Sequence, residues 1–169
     1  MLDLTIRDAI SEDLAQIVSI YNANVPSYLA TADTEPISVA SRIDWFSKHS
    51  PQQYPLWVVE NADQKVIAWL GFQQFYGRPA YQKTAELSIY IDPNFQRQGI
   101  GKILLSKAIQ ESQNLNLKTL LGFIFAHNKP SLKLFTNYGF EQWGYLPQVA
   151  ELEGIERDLI IMGRKIVRD

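Results

Sequence analysis

The residues with the most chemical meaning lie between positions 84 and 102. Thr84 to Ile91 reads as a strand and is stopped by Asp92-Pro93-Asn94. A short polar turn follows, Gln96-Arg97-Gln98-Gly99-Ile100-Gly101, and a helix opens at Ile100. A helix start of this kind is an anion site: its first N–H groups lack intrahelical acceptors, the dipole adds partial positive charge, and glycine lets a diphosphate approach the backbone. Arg97 and Lys102 can add full charges. A Gly-x-Gly pair by itself more often marks a tight strand-to-helix turn. The P-loop spacing and the third glycine of a dinucleotide fingerprint are both missing.

Glu86 is the second chemical candidate. Alternation puts Thr84, Glu86, Ser88 and Tyr90 on one face of the strand and Ala85, Leu87, Ile89 and Ile91 on the other. A carboxylate in an otherwise apolar strand is costly unless it is paired or solvated. The plain reading is an ion pair with a neighbouring Arg or Lys; the functional one is a proton acceptor. Arg78 lies eight residues earlier, in the loop Gly77-Arg-Pro-Ala, and its planar fork suits a carboxylate or phosphinate. A solvated loop arginine accounts for it equally well. Tyr81, Tyr28, Phe75 and Tyr76 can line a pocket near it, although most aromatics in such a chain belong to the core. His49 reads as a solvated turn residue and His127 as a strand-end residue without chemistry.

The elements that must position these groups follow from periodicity. Thr5 to Ala9 gives a first strand. Ser11 is a plausible N-cap, with Glu12 and Asp13 in the first turn, and Leu14, Ile17, Val18 and Tyr21 share a helical face. Val39, Ile43 and Phe46 suggest a shorter helix. Leu56–Glu60 and Lys65–Phe72 are separated by the turn Asn61-Ala-Asp-Gln and predict an antiparallel pair. Ile100, Leu104, Leu105, Ala108 and Ile109 form a helical stripe, and Lys118–Phe125 a buried strand. Asn128-Lys-Pro-Ser opens a last helix, closed by Gly139 as the left-handed residue past its end. Two strands follow, near 139–145 and 158–164. The order β-α-α-β-β-β-α-β-α-β-β predicts a mixed α/β fold with helices on the faces of one sheet.

Composition narrows the classes. A chain of 169 residues suits one domain. The net charge of −2 gives no basic footprint for nucleic acid. No apolar run approaches the roughly 20 residues that cross a bilayer. Met1 to Arg7 lacks the pattern of a signal peptide, so the cytoplasm is the expected compartment. With no cysteine, disulfides, thiolate metal sites and a Cys nucleophile are excluded. Two histidines leave little for a His-rich metal site, and no metal is expected.

The segment Gln96-Arg-Gln-Gly-Ile-Gly101, between an apolar strand and an amphipathic helix, resembles the Gln/Arg-x-x-Gly-x-Gly/Ala motif of the GNAT acetyltransferase superfamily. Asn128-Lys-Pro-Ser-Leu-Lys-Leu-Phe-Thr-Asn-Tyr-Gly-Phe resembles that family's second cofactor segment. Thr34-Glu-Pro, Arg78-Pro-Ala-Tyr-x-x-Thr-Ala-Glu86 and Ile89-Tyr-Ile-x-Pro-x-x-Gln-Arg-x-Gly-x-Gly are together similar to the phosphinothricin and methionine sulfoximine acetyltransferase branch. The similarity runs from Thr5 to about Met162 and implies a single GNAT domain over residues 1–169, with a mostly antiparallel central sheet.

The resemblance implies acetyl-CoA as cosubstrate and a small amino acid, or an analogue of the phosphinothricin or methionine sulfoximine type, as acceptor through its α-amine. Ile89, Tyr90 and Ile91 would lie along the pantetheine arm as an added strand. Arg97, Gln98, Gly99, Ile100, Gly101 and Lys102 would hold the pyrophosphate, and Asn128 would touch the cofactor near its pantetheine. Glu86 would be the general base, acting directly or through a water, and Arg78 and Tyr81 would meet the substrate. Many relatives carry a Tyr in the last helix to protonate the leaving thiolate; the matching position here is Phe135, and Tyr138 one turn away reads as packing. The resemblance also implies a homodimer, for which Trp143, Tyr145 and Leu146 offer an apolar patch. Other acceptors (an aminoglycoside, a polyamine, a protein terminus) and a non-catalytic acyl-CoA-binding module stay open at this point.

Overall fold

The computed structural model describes residues 3–167, so the reading of Met1 and Leu2 lies outside the described residues. The element order is β1 (Thr5–Asp8), α1 (Leu14–Asn24), α2 (Ile43–Ser47), β2 (Leu56–Glu60), β3 (Val66–Gln74), β4 (Thr84–Ile91), α3 (Ile100–Glu111), β5 (Thr119–Phe125), α4 (Lys129–Asn137), β6 (Glu141–Leu152) and β7 (Ile155–Lys165). The strands form one sheet in the order β1-β2-β3-β4-β5-β7-β6. Every neighbouring pair is antiparallel except β4 and β5, which run parallel and are joined by α3. A parallel pair needs a crossover, and a helix supplies it.

Strand alternation divides the core into two layers. Trp57, Leu70, Phe72, Ala85 and Leu87 pack with Leu104 and Leu105 of α3 and Phe135 of α4. On the other face Leu56, Val58 and Trp69 pack with Ile17, Ile20 and Tyr21 of α1, and Trp45, Phe46 and Tyr90 close over them. Three local expectations change. Ser11 does not cap α1: its hydroxyl bonds Glu12, while buried Asp13 accepts the Ile10 N–H at 2.8 Å and pairs with Arg7. Val39 and Ile43 are exposed, so α2 anchors itself through Trp45 and Phe46 instead. The penultimate strand runs on to Leu152, well past residue 145, because the long β6–β7 hairpin continues pairing through two register shifts.

The feature that matters for function is a splay between β4 and β5. They pair over three positions, Thr84 with Thr119, Ala85 with Leu120 and Glu86 with Leu121. Beyond Glu86 the strands part. β4 continues along β3 to Ile91, and β5 continues along β7 to Phe125. A wedge opens between two parallel strands, with Glu86 at its apex.

Candidate active site

At the open end of the wedge, β4 runs into the turn that starts α3. Asp92 closes the strand by donating its N–H to Ile67 O at 2.9 Å and accepting the Asn94 N–H on its side chain. The chain is then left-handed at Arg97 (φ 61°) and at Gly99 (φ 83°). A left-handed conformation at a non-glycine residue costs on the order of 1–2 kcal/mol, and the turn spends it on Arg97. No side chain caps α3, no acid stands in its first turn, and the first helical bond is Ile103 N–H to Gly99 O at 3.2 Å. The N–H groups of Gln98, Gly99, Ile100, Gly101 and Lys102 therefore have no acceptor among the described residues. Arg97 and Lys102 are exposed beside them, and neither is in an ion pair within the described residues. This is an uncompensated positive cradle, and a diphosphate fits it.

The two glycines serve different ends. A Cβ at Gly99 would meet nothing within 4 Å, so glycine is there for its left-handed backbone. Gly101 is buried, and a Cβ there would stand 3.2 Å from Leu134 and 3.6 Å from Ile91. The missing side chain of Gly101 thus lets α3 settle onto α4 and β4.

The wall of the wedge is the free edge of β4. Because Asp92 bonds Ile67 across the ladder, the even-numbered residues Glu86, Ser88 and Tyr90 direct their backbone groups to β3. The odd-numbered residues turn theirs toward β5. Ile89 and Ile91 therefore face the wedge where β5 has left, and the Ile91 carbonyl is taken by the Asn24 amide at 3.1 Å. The expectation of three consecutive cofactor-facing backbones narrows to Ile89 and Ile91. Tyr90 pairs with Trp69 instead and stacks on it, ring centroids 4.8 Å apart. An extended arm with amide groups can add to this edge as a strand.

Glu86 at the apex is half-buried, and its carboxylate makes no hydrogen bond or ion pair to any described residue. The ion-pair explanation for this carboxylate is therefore not the one the fold uses. Burial alone pushes its pKa above the ordinary carboxylate range. A carboxylate raised in this way and open to a wedge is suited to accept a proton.

The segment after α1 crosses the wedge and ties its two walls. Tyr90 donates its hydroxyl to Ala30 O at 3.0 Å from the β4 side. From the β5 side, His127 Nε2 meets Tyr28 O at 2.7 Å and the Asn128 amide donates to Leu29 O at 3.2 Å. His127 is thus a strut, not an idle strand end. Asn128 is buried, and its oxygen accepts the Ser131 N–H to cap α4. Asn24, which sequence reasoning missed, joins α1 to β4 and to the Gln96 amide, 3.2 Å from its oxygen. The available signal was a polar residue at the end of the apolar face of α1. Phe135 is buried under Phe140 and against Gly122, where a Cβ would lie 2.6 Å from its ring. Tyr138 packs its ring on the same core, and Phe135 has no proton to offer a thiolate.

Arg78 and Tyr81 sit in the loop joining β3 to β4, whose base, Gln74 opposite Ala85, is one step from Glu86. Both are exposed. Tyr81 clusters with Phe75 and Tyr76, and Arg78 makes no polar side-chain contact with the described residues. His49 departs from expectation: its ring is buried against Trp45. Among the described residues no group of three or more His, Cys, Asp or Glu could hold a metal ion.

A parallel splay, a free strand edge and an uncapped helix start form a cleft that suits an extended, amide-bearing arm ending in a diphosphate. Comparison with known proteins agrees. The sequence model of the acetyltransferase (GNAT) family matches residues 17–140, and the chain belongs to that family. YwnH of Bacillus subtilis, provisionally named a phosphinothricin acetyltransferase, is 48% identical, the alignment covering 96% of this chain and 99% of the relative. The L-methionine sulfoximine/L-methionine sulfone acetyltransferase of Pseudomonas aeruginosa is 30% identical over 95% of this chain and 94% of its own. The crystal structure of a phosphinothricin acetyltransferase from Sinorhizobium meliloti in complex with acetyl-CoA superimposes with a TM-score of 0.90 at 31% identity, covering 96% of this chain and 88% of that one. The protein is an acetyl-CoA-dependent N-acetyltransferase.

Proposed function

We propose that this protein, as a single catalytic domain, acetylates the α-amine of a small amino acid or an analogue of the methionine sulfoximine or phosphinothricin type. The observation that carries the reading is Glu86: an unpaired, half-buried carboxylate at the apex of the β4–β5 wedge, with a raised pKa. The pyrophosphate of acetyl-CoA binds the N–H groups of Gln98 to Lys102, with Arg97 beside them. The pantetheine arm pairs with Ile89 and Ile91 and brings the thioester to the apex. An amino-acid amine is mostly protonated at neutral pH and must lose a proton before it attacks; Glu86 takes that proton. Arg78 meets the acceptor's carboxylate or phosphinate from the neighbouring loop, with Tyr81 beside it. A buried Phe135 leaves water or the amine's own proton to neutralise the thiolate.

Thiol release from acetyl-CoA, measured over amino acids, sulfone and sulfoximine analogues, polyamines and aminoglycosides, tests this reading. Glu86→Gln should keep CoA affinity and lower the rate by ~10²–10⁴-fold. The deficit should shrink as pH nears the amine pKa. Arg78→Ala should raise KM for amino acids by about ten- to a hundredfold, as a lost charge-assisted bond of roughly 1.5–3 kcal/mol implies, and spare decarboxylated amines. CoA binding without turnover of any amine would make the chain a binding module instead. Glu86→Gln also has a stability readout. A carboxyl whose pKa is raised on folding favours the native state below its unfolded pKa and costs stability as pH rises through the folded one. The variant should therefore melt higher than the parent at neutral pH and match it in acid.

We also propose a homodimer in the cytoplasm. β6 is an edge strand, and Trp143, Tyr145, Leu146 and Val149 stand exposed along it. A monomer mass by light scattering at micromolar concentration would reject the dimer, and fractionation of cells tests the compartment.

A further inference from the structure

The face of the sheet that carries Glu86 continues past the wedge. Glu86 is opposite Leu121 on β5, and Leu121 is opposite Gly163 on β7. One pleat back, Thr84 is opposite Thr119, and Thr119 is opposite Lys165. Strand alternation puts these six residues on one face, in two adjacent rows. The ring of Trp143 lies over Gly163, where any Cβ would run into it, so the first row ends in an indole. The Lys165 ammonium stands 6.0 Å from the centroid of that ring and donates to Thr119 Oγ1 at 3.0 Å. A flexible lysine is thereby aimed along the second row, beside the row that holds the base.

A cavity of about 330 Å³ opens at this place. Lys83, Thr84, Lys118, Thr119 and Lys165 line it, and Pro79 and Ala80 line it from the loop that holds Arg78. No Asp or Glu stands among its lining residues, and none of the three lysines is in an ion pair among the described residues. The lysines come from three strand ends, which backbone bonds tie together. The Lys83 carbonyl accepts the N–H groups of Lys118 at 2.8 Å and Thr119 at 3.2 Å, and the Lys118 carbonyl accepts the Ile166 N–H at 2.9 Å. Three ammonium groups gathered on a fixed floor repel one another, and an anion in the cavity offsets that cost. The base is close by. Strands stand about 4.8 Å apart and same-face neighbours on one strand about 7 Å, so the Cα atoms of Thr119 and Glu86 are about 8 Å apart. An amino acid with its amine at the Glu86 carboxylate and an acid two or three carbons further along spans that interval.

We propose that this cavity is a subsite for a second acid, carried on the side chain of the acceptor, an assignment that rests on Glu86 receiving the amine. Lys165 holds the distal carboxylate or phosphinate in a charge-assisted bond, its direction set by Thr119 and Trp143, and Lys83 and Lys118 add positive field. Arg78, on the loop that lines the cavity, meets the α-carboxylate. The preferred acceptor is therefore an amino acid with two acidic groups. A neutral side chain of the same length leaves the three lysines uncompensated.

Acceptor choice in the full chain, read by thiol release, tests this. Glutamate against glutamine, and phosphinothricin against methionine sulfone, are pairs of like length that differ in charge. The parent should have the higher kcat/KM for the acid of each pair. Lys165→Met keeps most of the side-chain stem and removes the charge. It should raise KM for glutamate and phosphinothricin about tenfold, less in high salt because the ammonium is partly open to water, and change the neutral partners far less. CoA affinity should hold. Lys165→Arg should recover most of the preference. Lys118→Gln, at an exposed position, should lower the preference by a smaller factor and carries the test if Lys165→Met is unstable. Equal use of acid and neutral partners by the parent, with Glu86→Gln slow, would keep the base and overturn the subsite. A loss in Lys165→Met that falls on all four acceptors alike would also overturn it, as an effect of packing against Trp143. Inorganic phosphate that inhibits the parent without competing with glutamate would make the cavity a separate anion site and sink the proposal. Failure of the parent to acetylate any amino acid would remove the acceptor reading and this subsite together.

Discussion

The two strand-to-helix turns that flank the wedge are alike in topology and built for opposite purposes. Each follows a core strand, and each leads into an amphipathic helix whose buried face rests on the same side of the sheet. At α4 the turn is closed: Asn128 caps it, Pro130 in the first turn has no N–H to satisfy, and the amide of Asn128 is spent on Leu29. At α3 the turn is open, with two left-handed residues, no cap, no acid and a row of N–H groups facing out. A protein that left both ends uncapped would carry the cost twice. Here the closed end braces the segment that crosses the wedge, and the open end is free to receive an anion.

The contrast can be broken most sharply at Gly99. A β-branched residue at φ 83° is strained whatever the space around it. Gly99→Val should cost about 1–3 kcal/mol in stability and weaken CoA binding at least tenfold. Calorimetry on a folded variant with unchanged CoA affinity would show that the α3 turn is not the pyrophosphate site. Asn128→Ala should do the reverse. Loss of the cap is worth about 1 kcal/mol in denaturant unfolding, and exchange of the backbone around residues 28–30 should quicken. CoA affinity should change far less than in Gly99→Val. A larger loss of affinity than of stability would make Asn128 a cofactor ligand and erase the distinction between the turns. The smallest effect is expected at Arg97. An exposed charge contributes roughly 0.2–1 kcal/mol, so Arg97→Ala should weaken CoA binding up to about fivefold. That difference should vanish at high ionic strength, and a salt-independent loss would point instead to the strained backbone at this position.

Much of the architecture was legible because it is local. The order of strands and helices follows from periods of two and 3.6 residues, the α3 turn from its glycines and flanking elements, and the left-handed stop after α4 from Gly139 (φ 80°). Where local signals competed, reading failed. Ser11 has the residue type of a cap, yet buried Asp13, held by Arg7 from β1, accepts the Ile10 N–H, and no side chain caps α1. Val39 and Ile43 have helical spacing, yet no partner surface comes to meet them.

By itself the sequence determined the turn that offers N–H groups, the face on which Glu86 lies and the absence of thiol chemistry, because each is fixed by neighbours a few residues away or by composition. Tertiary structure alone decided what those groups are worth. It parted β4 from β5 after Glu86 and so left the outer edge of Ile89 and Ile91 without a strand beside it. It gave Glu86 no ion partner among the described residues, turned Gly101 into a packing contact, and folded His49 from an apparent surface turn onto the sheet beside Gly71. The physical reason is range. Backbone preference and periodicity act over a turn or a strand, whereas the pKa of a carboxylate and the fate of a hydrogen-bonding edge depend on residues tens of positions away that meet only when the sheet closes.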